Sequence, residues 1–240
     1  MTNRSPSALL LSLLLILASR VVAEPEILGS AYLLEAPDIL VYRETYEVLD
    51  EQTTQVTYLS PEDEVIAEKR LDYSTGEATP SFRLTDLRFE QVKSVSVSQD
   101  RLQFFVDEEG KKRKKERDRA KTQVVDAGFT HFLRQNWSGL INGGDVDFDF
   151  AFVDRLDNVS LTASKVDQSD TPFGNQFAAS HYFSMALDNA LLALLVDPIY
   201  LAFDDQQRLL AYAGRSNLKG PKGKPVDVII RYVYTGARSL

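Results

Sequence analysis

Gly214-Arg215-Ser216-Asn217-Leu218 is the stretch of this sequence nearest to a nucleophile elbow, the G-x-S-x-G turn that lifts a serine hydroxyl above a sheet. It lacks the second glycine and follows an alternating apolar run. It therefore reads as a turn in which Ser216 and Asn217 bond nearby backbone groups. There is no cysteine, which removes a thiolate nucleophile, a disulfide scaffold and a thiolate metal site. The only two histidines are His131 and His181, too few for a multi-histidine metal centre. His131 falls beside Gln135 and Ser138 on the polar side of a helical stretch, and His181 alternates with Ala179 and Phe183 as a half-buried strand residue. Asp145, Asp147 and Asp149 alternate as on the wet face of a strand. A calcium loop would need a glycine turn and a closing Glu that do not follow. No phosphate-cradling glycine loop occurs. Acids are plentiful, but no spacing singles out an acid–base pair, because such pairs are set by distance in space. A hydrolase with a dispersed site stays open as a third reading.

The apolar residues say more. Phe148, Phe150 and Phe152 fall on every second position, and Phe129, Phe132 and Trp137 recur at helical spacing. Each ring can bury roughly 150–250 Å². Two readings stand side by side: the two sets pack together as a dry core, or they separate and line a cavity. An acyl chain in such a cavity would gain about 0.8 kcal/mol per buried CH₂. Leu191 and Leu195 join the candidate lining.

What must position these residues is mostly strand. In Val146–Phe152 the large apolar residues face one way and Asp147 and Asp149 the other. Comparable runs occur at Leu40–Val48, Val56–Leu59, Val65–Tyr73, Val92–Val97, Leu102–Val106, Val159–Val166, Phe177–Leu187, Ile199–Phe203, Leu209–Ala213 and Val226–Tyr234. Turn chemistry between them, such as Ser60-Pro61-Glu62-Asp63 and Gly220-Pro221-Lys222-Gly223, predicts about ten or eleven antiparallel strands. Two helices interrupt them. One spans Ala127–Asn142, capped by Asp126 and ended by Gly143; the other is Asp188–Val196, stopped by Asp197-Pro198. An open, curved sheet with two short apolar helices over its concave side covers this much apolar surface better than a self-closed barrel. The expected class is mainly β (α+β).

Residues 1–23 have the layout of a secretory signal peptide. Arg4 precedes an eleven-residue apolar core, Ala8 to Ala18, and Val21-Val22-Ala23 offers a cleavage site. That core is well short of the ~20 residues of a spanning helix. The division expected is signal peptide 1–23, an N-terminal extension 24–38 and a single domain 39–240. The exported chain carries 25 bases against 35 acids, because Arg4 and Arg20 leave with the leader. A net acidic chain argues against nucleic acid as a partner. Lys111 to Lys121 runs the other way, with eight bases and two acids. It reads as a solvated hairpin tip, or as a contact in which Lys111, Lys112, Arg113, Lys114 and Lys115 meet anionic lipid headgroups or an acidic partner.

Asp126-x-Gly128-Phe129-x-x-Phe132-x-Arg134-x-Asn136-Trp137, with Leu209-Leu210-x-Tyr212-x-Gly214-x-Ser216-Asn217, resembles an uncharacterised family of exported proteobacterial proteins. Their architecture is similar to the half-barrel of the LolA/LolB/LppX-like lipoprotein carriers, over about Ile39 to Tyr234. The resemblance implies an unclosed barrel, an apolar concavity that takes acyl chains, and helices acting as a lid. The combined expectation is a soluble periplasmic carrier for a lipid or other apolar ligand, with no cofactor and no chemistry. The alternative is a protein-interaction module in envelope assembly, built on the same fold with a filled core.

Overall fold

The computed structural model describes residues 27–174, 177, 179–188, 197–236 and 240. The expected signal peptide, Leu191, Leu195 and all of the second expected helix except Asp188 lie outside the described residues.

Fifteen strands form one sheet. The first eight are β1 (Ile27–Leu33), β2 (Ala36–Val48), β3 (Thr53–Leu59), β4 (Val65–Asp72), β5 (Ser81–Asp86), β6 (Gln91–Val97), β7 (Arg101–Glu108) and β8 (Lys111–Asp118). The other seven are β9 (Gln123–Val124), β10 (Val146–Phe152), β11 (Asp157–Lys165), β12 (His181–Leu187), β13 (Ile199–Phe203), β14 (Leu209–Lys219) and β15 (Pro225–Tyr234). From β1 the chain meanders outward to an edge at β8. It re-enters at the opposite edge, β9, and meanders back to β15. Strand β15 then pairs antiparallel with β1, from Ile27↔Tyr234 to Leu33↔Val228. Every pairing is antiparallel except the short β9–β10 contact. The sheet is mainly β and unclosed, as the period-two pattern predicts.

The count of ten or eleven falls short by β1, β5, β8 and β9. Every residue of strand β8 is charged, β9 has two residues, and β5 offers only Phe82 and Leu84 as alternating apolar residues. Strand β1 corrects the domain reading as well: within the expected extension 24–38, the described residues 27–38 belong to the sheet, with Ile27–Leu33 at its centre. Its Gly29 and Ser30 hide the alternation. Gly29 is needed there because a Cβ would sit 2.7 Å from Glu44 Cγ.

The expected Ala127–Asn142 helix is two helices, α1 (Gly128–Gln135) and α2 (Trp137–Ile141). Asn136 divides them, its amide donating to the Phe132 carbonyl at 2.8 Å in competition with the helix ladder. Gly143 does take the left-handed conformation past the end, at φ +84°. Asp126 is not the cap. The cap position is Ala127, and the Asp126 carboxylate is engaged elsewhere. Both helices pack over the inward residues of β10–β14. Phe132 meets Phe148 at 4.8 Å between centroids, and Trp137 stands edge-on to His181, Phe183 and Phe203 at 5.2–5.4 Å. Such ring pairs contribute about 0.5–1.5 kcal/mol each beyond area burial. A second core fills the curl of β1–β7 around Tyr42, Val56, Leu71 and Phe104. A third, smaller one lies around Phe173, Tyr182 and Ala211.

Candidate functional site

Between the two inner cores the curl of the sheet is not filled. A cavity of about 140 Å³ remains, well above the ~10–15 Å³ that one water needs. Its apolar wall includes Phe129 of α1, Phe150 and Phe152 of β10, Met185, Ile199, Leu209 and Ile230. The sequence-proposed aromatic set therefore splits. Phe129, Phe150 and Phe152 line the cavity, while Phe132, Phe148 and Trp137 belong to the packed core under the helices.

The opposite wall carries charge, and none of it was among the residues proposed from sequence. Tyr42, Glu44 and Tyr46 point inward from β2, Lys69 from β4, and Asp126 from the segment leading into α1. Glu44 Oε1 accepts from the phenols of Tyr46 and Tyr232, both at 2.8 Å. Lys69 Nζ donates to Asp126 Oδ1 at 2.6 Å, with the two side chains only 4% and 6% exposed. Asp126 sits at φ +45°, a left-handed conformation that Asp tolerates better than most residues, and its Oδ1 also accepts the Ala127 N–H at 2.8 Å.

The electrostatics follow from burial. Desolvation raises Glu44 above the ordinary carboxylate range, and Lys69 and the two phenols only partly offset it. Burial pulls Lys69 down, but the Asp126 and Glu44 carboxylates outweigh it, so its net shift is upward. Desolvation, then the Glu44 charge, pushes Tyr42, Tyr46, Tyr58 and Tyr232 well above their usual value. All four therefore stay neutral hydroxyl groups. The other two cations on the wall are also engaged: Lys93 pairs with Asp154 at 2.7 Å and Arg215 with Asp227 at 2.7 Å. Glu44 has no ion pair within 4 Å among the described residues.

A signal for these residues existed. Lys69 shares strand parity with Ala67 and Leu71, Lys93 with Val95 and Val97, and Glu44 with Tyr42 and Tyr46. A charge at an inward position is the mark of a lined interior.

The motif residues have local reasons. Gly128 admits α1 against the β4–β5 loop, where a Cβ would meet the Ala78 carbonyl oxygen at 2.2 Å. Arg134 Nε donates to the Gln207 carbonyl at 2.9 Å. Ser216 Oγ lies 3.1 Å from the Tyr42 hydroxyl and accepts the Leu218 N–H at 3.0 Å. His131 is half-buried against Tyr73 at 5.6 Å, less exposed than its helical position suggested, and burial lowers its pKa. His181 is half-buried, with Nε2 3.4 Å from Asp205. Asp147 and Asp149 accept from Thr162 and Ser160 of β11 at 2.8 and 2.9 Å. No cluster of three or more potential metal ligands occurs among the described residues.

The basic tract is not a hairpin tip. It forms edge strand β8, which is paired on one side only, with β7. Lysines along a free edge oppose pairing with another chain. Lys115 and Arg117 reach across to Asp157 at the start of β11, at 2.9 and 2.7 Å, and Arg113 approaches the Asp154 carbonyl. These contacts bridge a seam that backbone hydrogen bonds leave open. Lys111, Lys112 and Lys114 remain exposed. Lys112 stands 3.9 Å from Asp107, and Lys114 lies over the Phe105 ring at 5.6 Å.

No family model and no curated protein matches this sequence. None of the helices among the described residues is long and apolar enough to cross a membrane.

Proposed function

We propose that this chain binds an apolar or acyl-chain ligand inside the curl of its sheet, beneath α1, and carries or presents it unchanged. The observation that supports the reading is the unfilled, largely aromatic and aliphatic space of about 140 Å³ between sheet and helix. A protein interior normally packs to crystal-like density, so a void this size facing Phe129, Phe150 and Phe152 needs a reason. Export to the periplasm, with removal of residues 1–23, belongs to the same reading, as does the kinship of shape with lipoprotein carriers. The exposed Lys111, Lys112 and Lys114 add a contact for an anionic membrane surface or acidic partner.

Native mass spectrometry of protein purified from its own envelope, with thermal melts of the delipidated chain in the presence of fatty-acyl compounds, tests the reading. A ligand at a hundred times its Kd stabilises by about 2.7 kcal/mol, or roughly 5–11 °C in Tm for a domain of this size. A bare protein mass together with unmoved melts across the whole panel would refute it and leave the envelope-interaction module as the better account.

A further inference from the structure

The polar wall specifies which end of an amphiphile it accepts. We infer that the cavity selects a single-chain amphiphile with a cationic amine head, the ammonium seated against Glu44 and the chain running past Phe129, Phe150 and Phe152. This rests on the ligand-binding reading above and adds the ligand's class to it.

The geometry carries the choice of sign. Each cation on the wall already has its own carboxylate: Lys69 has Asp126, Lys93 has Asp154 and Arg215 has Asp227. Glu44 alone has two neutral phenols instead, and it is 3% exposed. With Glu44 ionised, the Glu44–Lys69–Asp126 group thus holds one more negative than positive charge in a place where water is scarce. A buried charge left unbalanced is costly, and an incoming ammonium would balance it. A fatty carboxylate would put a second negative charge beside Glu44 at low effective dielectric, where like charges repel most. The tyrosine rings suit the same head group, because the faces of aromatic rings attract cations. Fatty alcohols fill the apolar part equally well but bring no charge.

The test compares dodecylamine, dodecanol and dodecanoate, each below its aggregation concentration, by calorimetric titration of the delipidated protein, purified as exported, and its Glu44→Gln variant. Glutamine retains an acceptor for Tyr46 and Tyr232 while removing the charge. In the native protein dodecylamine should bind about tenfold to a hundredfold tighter than dodecanol, the usual gain from a charged hydrogen bond, and dodecanoate should bind weakest. Glu44→Gln should bring the amine to within about twofold of the alcohol. Equal affinities for all three in the native protein, or a preference for dodecanoate, would overturn the inference and leave the cavity reading standing. An amine preference that survives in Glu44→Gln would also overturn it. Failure of all three to bind would instead remove the ligand-binding reading itself. Should the variant not fold, the order of the three affinities in the native protein decides.

Discussion

Lys69→Met offers the most direct measure of the charged interior. The substitution keeps an unbranched side chain on the inward face of β4 between Ala67 and Leu71 but leaves Asp126 and Glu44 without the cation both of them feel. The Lys69 and Asp126 side chains are 4% and 6% exposed, so solvent screening lends little help. Removing one partner of such a pair typically costs about 3–5 kcal/mol, because the surviving charge stays buried. In a domain of this size that lowers Tm by roughly 6–20 °C. Asp126→Asn suits the second arm of the cycle, since Asn accepts the left-handed backbone at φ +45° almost as readily as Asp. The double variant should be clearly more stable than Lys69→Met alone, and the difference measures the coupling. Urea denaturation of the four proteins, with m-values to confirm a common unfolded state, is the assay. A cost below about 1 kcal/mol for Lys69→Met, or purely additive single variants, would show that the pair is solvated and that the reasoning about a dry polar wall is wrong.

Three further outcomes follow from the same geometry. Gly128→Ala drives a Cβ to 2.2 Å from the Ala78 carbonyl oxygen, a backbone atom with little freedom to move. It should cost at least ~1–3 kcal/mol and raise hydrogen exchange across α1, and a melt unchanged to within ~0.5 kcal/mol would contradict the docking described. Glu44 has its folded pKa raised above its ordinary value near 4.5, so the native state holds the proton longer than the unfolded chain. Its contribution is therefore most favourable below that pH and is lost as pH rises through the folded pKa. Wild-type stability relative to Glu44→Gln should fall over that interval in pH-resolved melts, and a flat difference would refute the shift. Asp157→Asn removes the acceptor shared by Lys115 and Arg117, which is about 40% exposed, so it should cost only about 1 kcal/mol or less. Its signature is faster limited proteolysis at the β10–β11 turn, and an unaltered cleavage rate would mean the ionic bridge does not hold the seam.

Much of the fold was legible because its strands are half-buried, and half-burial writes a period of two. Val92–Val97 and Leu102–Val106 show this directly. What escaped had other physics. Strand β8 is specified by its partner β7 and by charges reaching over the seam, so its own residues carry no apolar alternation. Strand β1 is set at the centre by its pairing with β2 and β15, and its inward position 29 must be glycine because Glu44 crowds it, so the apolar alternation is interrupted there. The site was half legible. Phe129, Phe150 and Phe152 could be named, but parity alone could not separate them from Phe132 and Phe148, since core and cavity wall use the same residues. Only the sheet's curvature decides which rings meet and which stand apart. The polar wall was readable as charges at inward positions, yet its members lie 25 and 57 residues apart, and only folding brings them together.

Stability alone does not account for that wall. A buried ion pair can often be exchanged for apolar residues of similar volume with neutral or favourable effect, so a chain selected only to fold would place apolar residues at positions 44 and 69 and an uncharged Asn or Gly at the left-handed position 126. Anchoring α1 does not require the charges either. Gly128 seats the helix on Ala78, Arg134 ties it to Gln207, and Trp137 fixes the next turn among three rings. What the three charged residues do share is the cavity, with Asp126 in a conformation few residues tolerate at the point where the chain turns into α1. The residue that neutralises Lys69 is thus two positions from the glycine that docks the helix. Any ligand that draws on the charge of this wall acts on the base of its own cover.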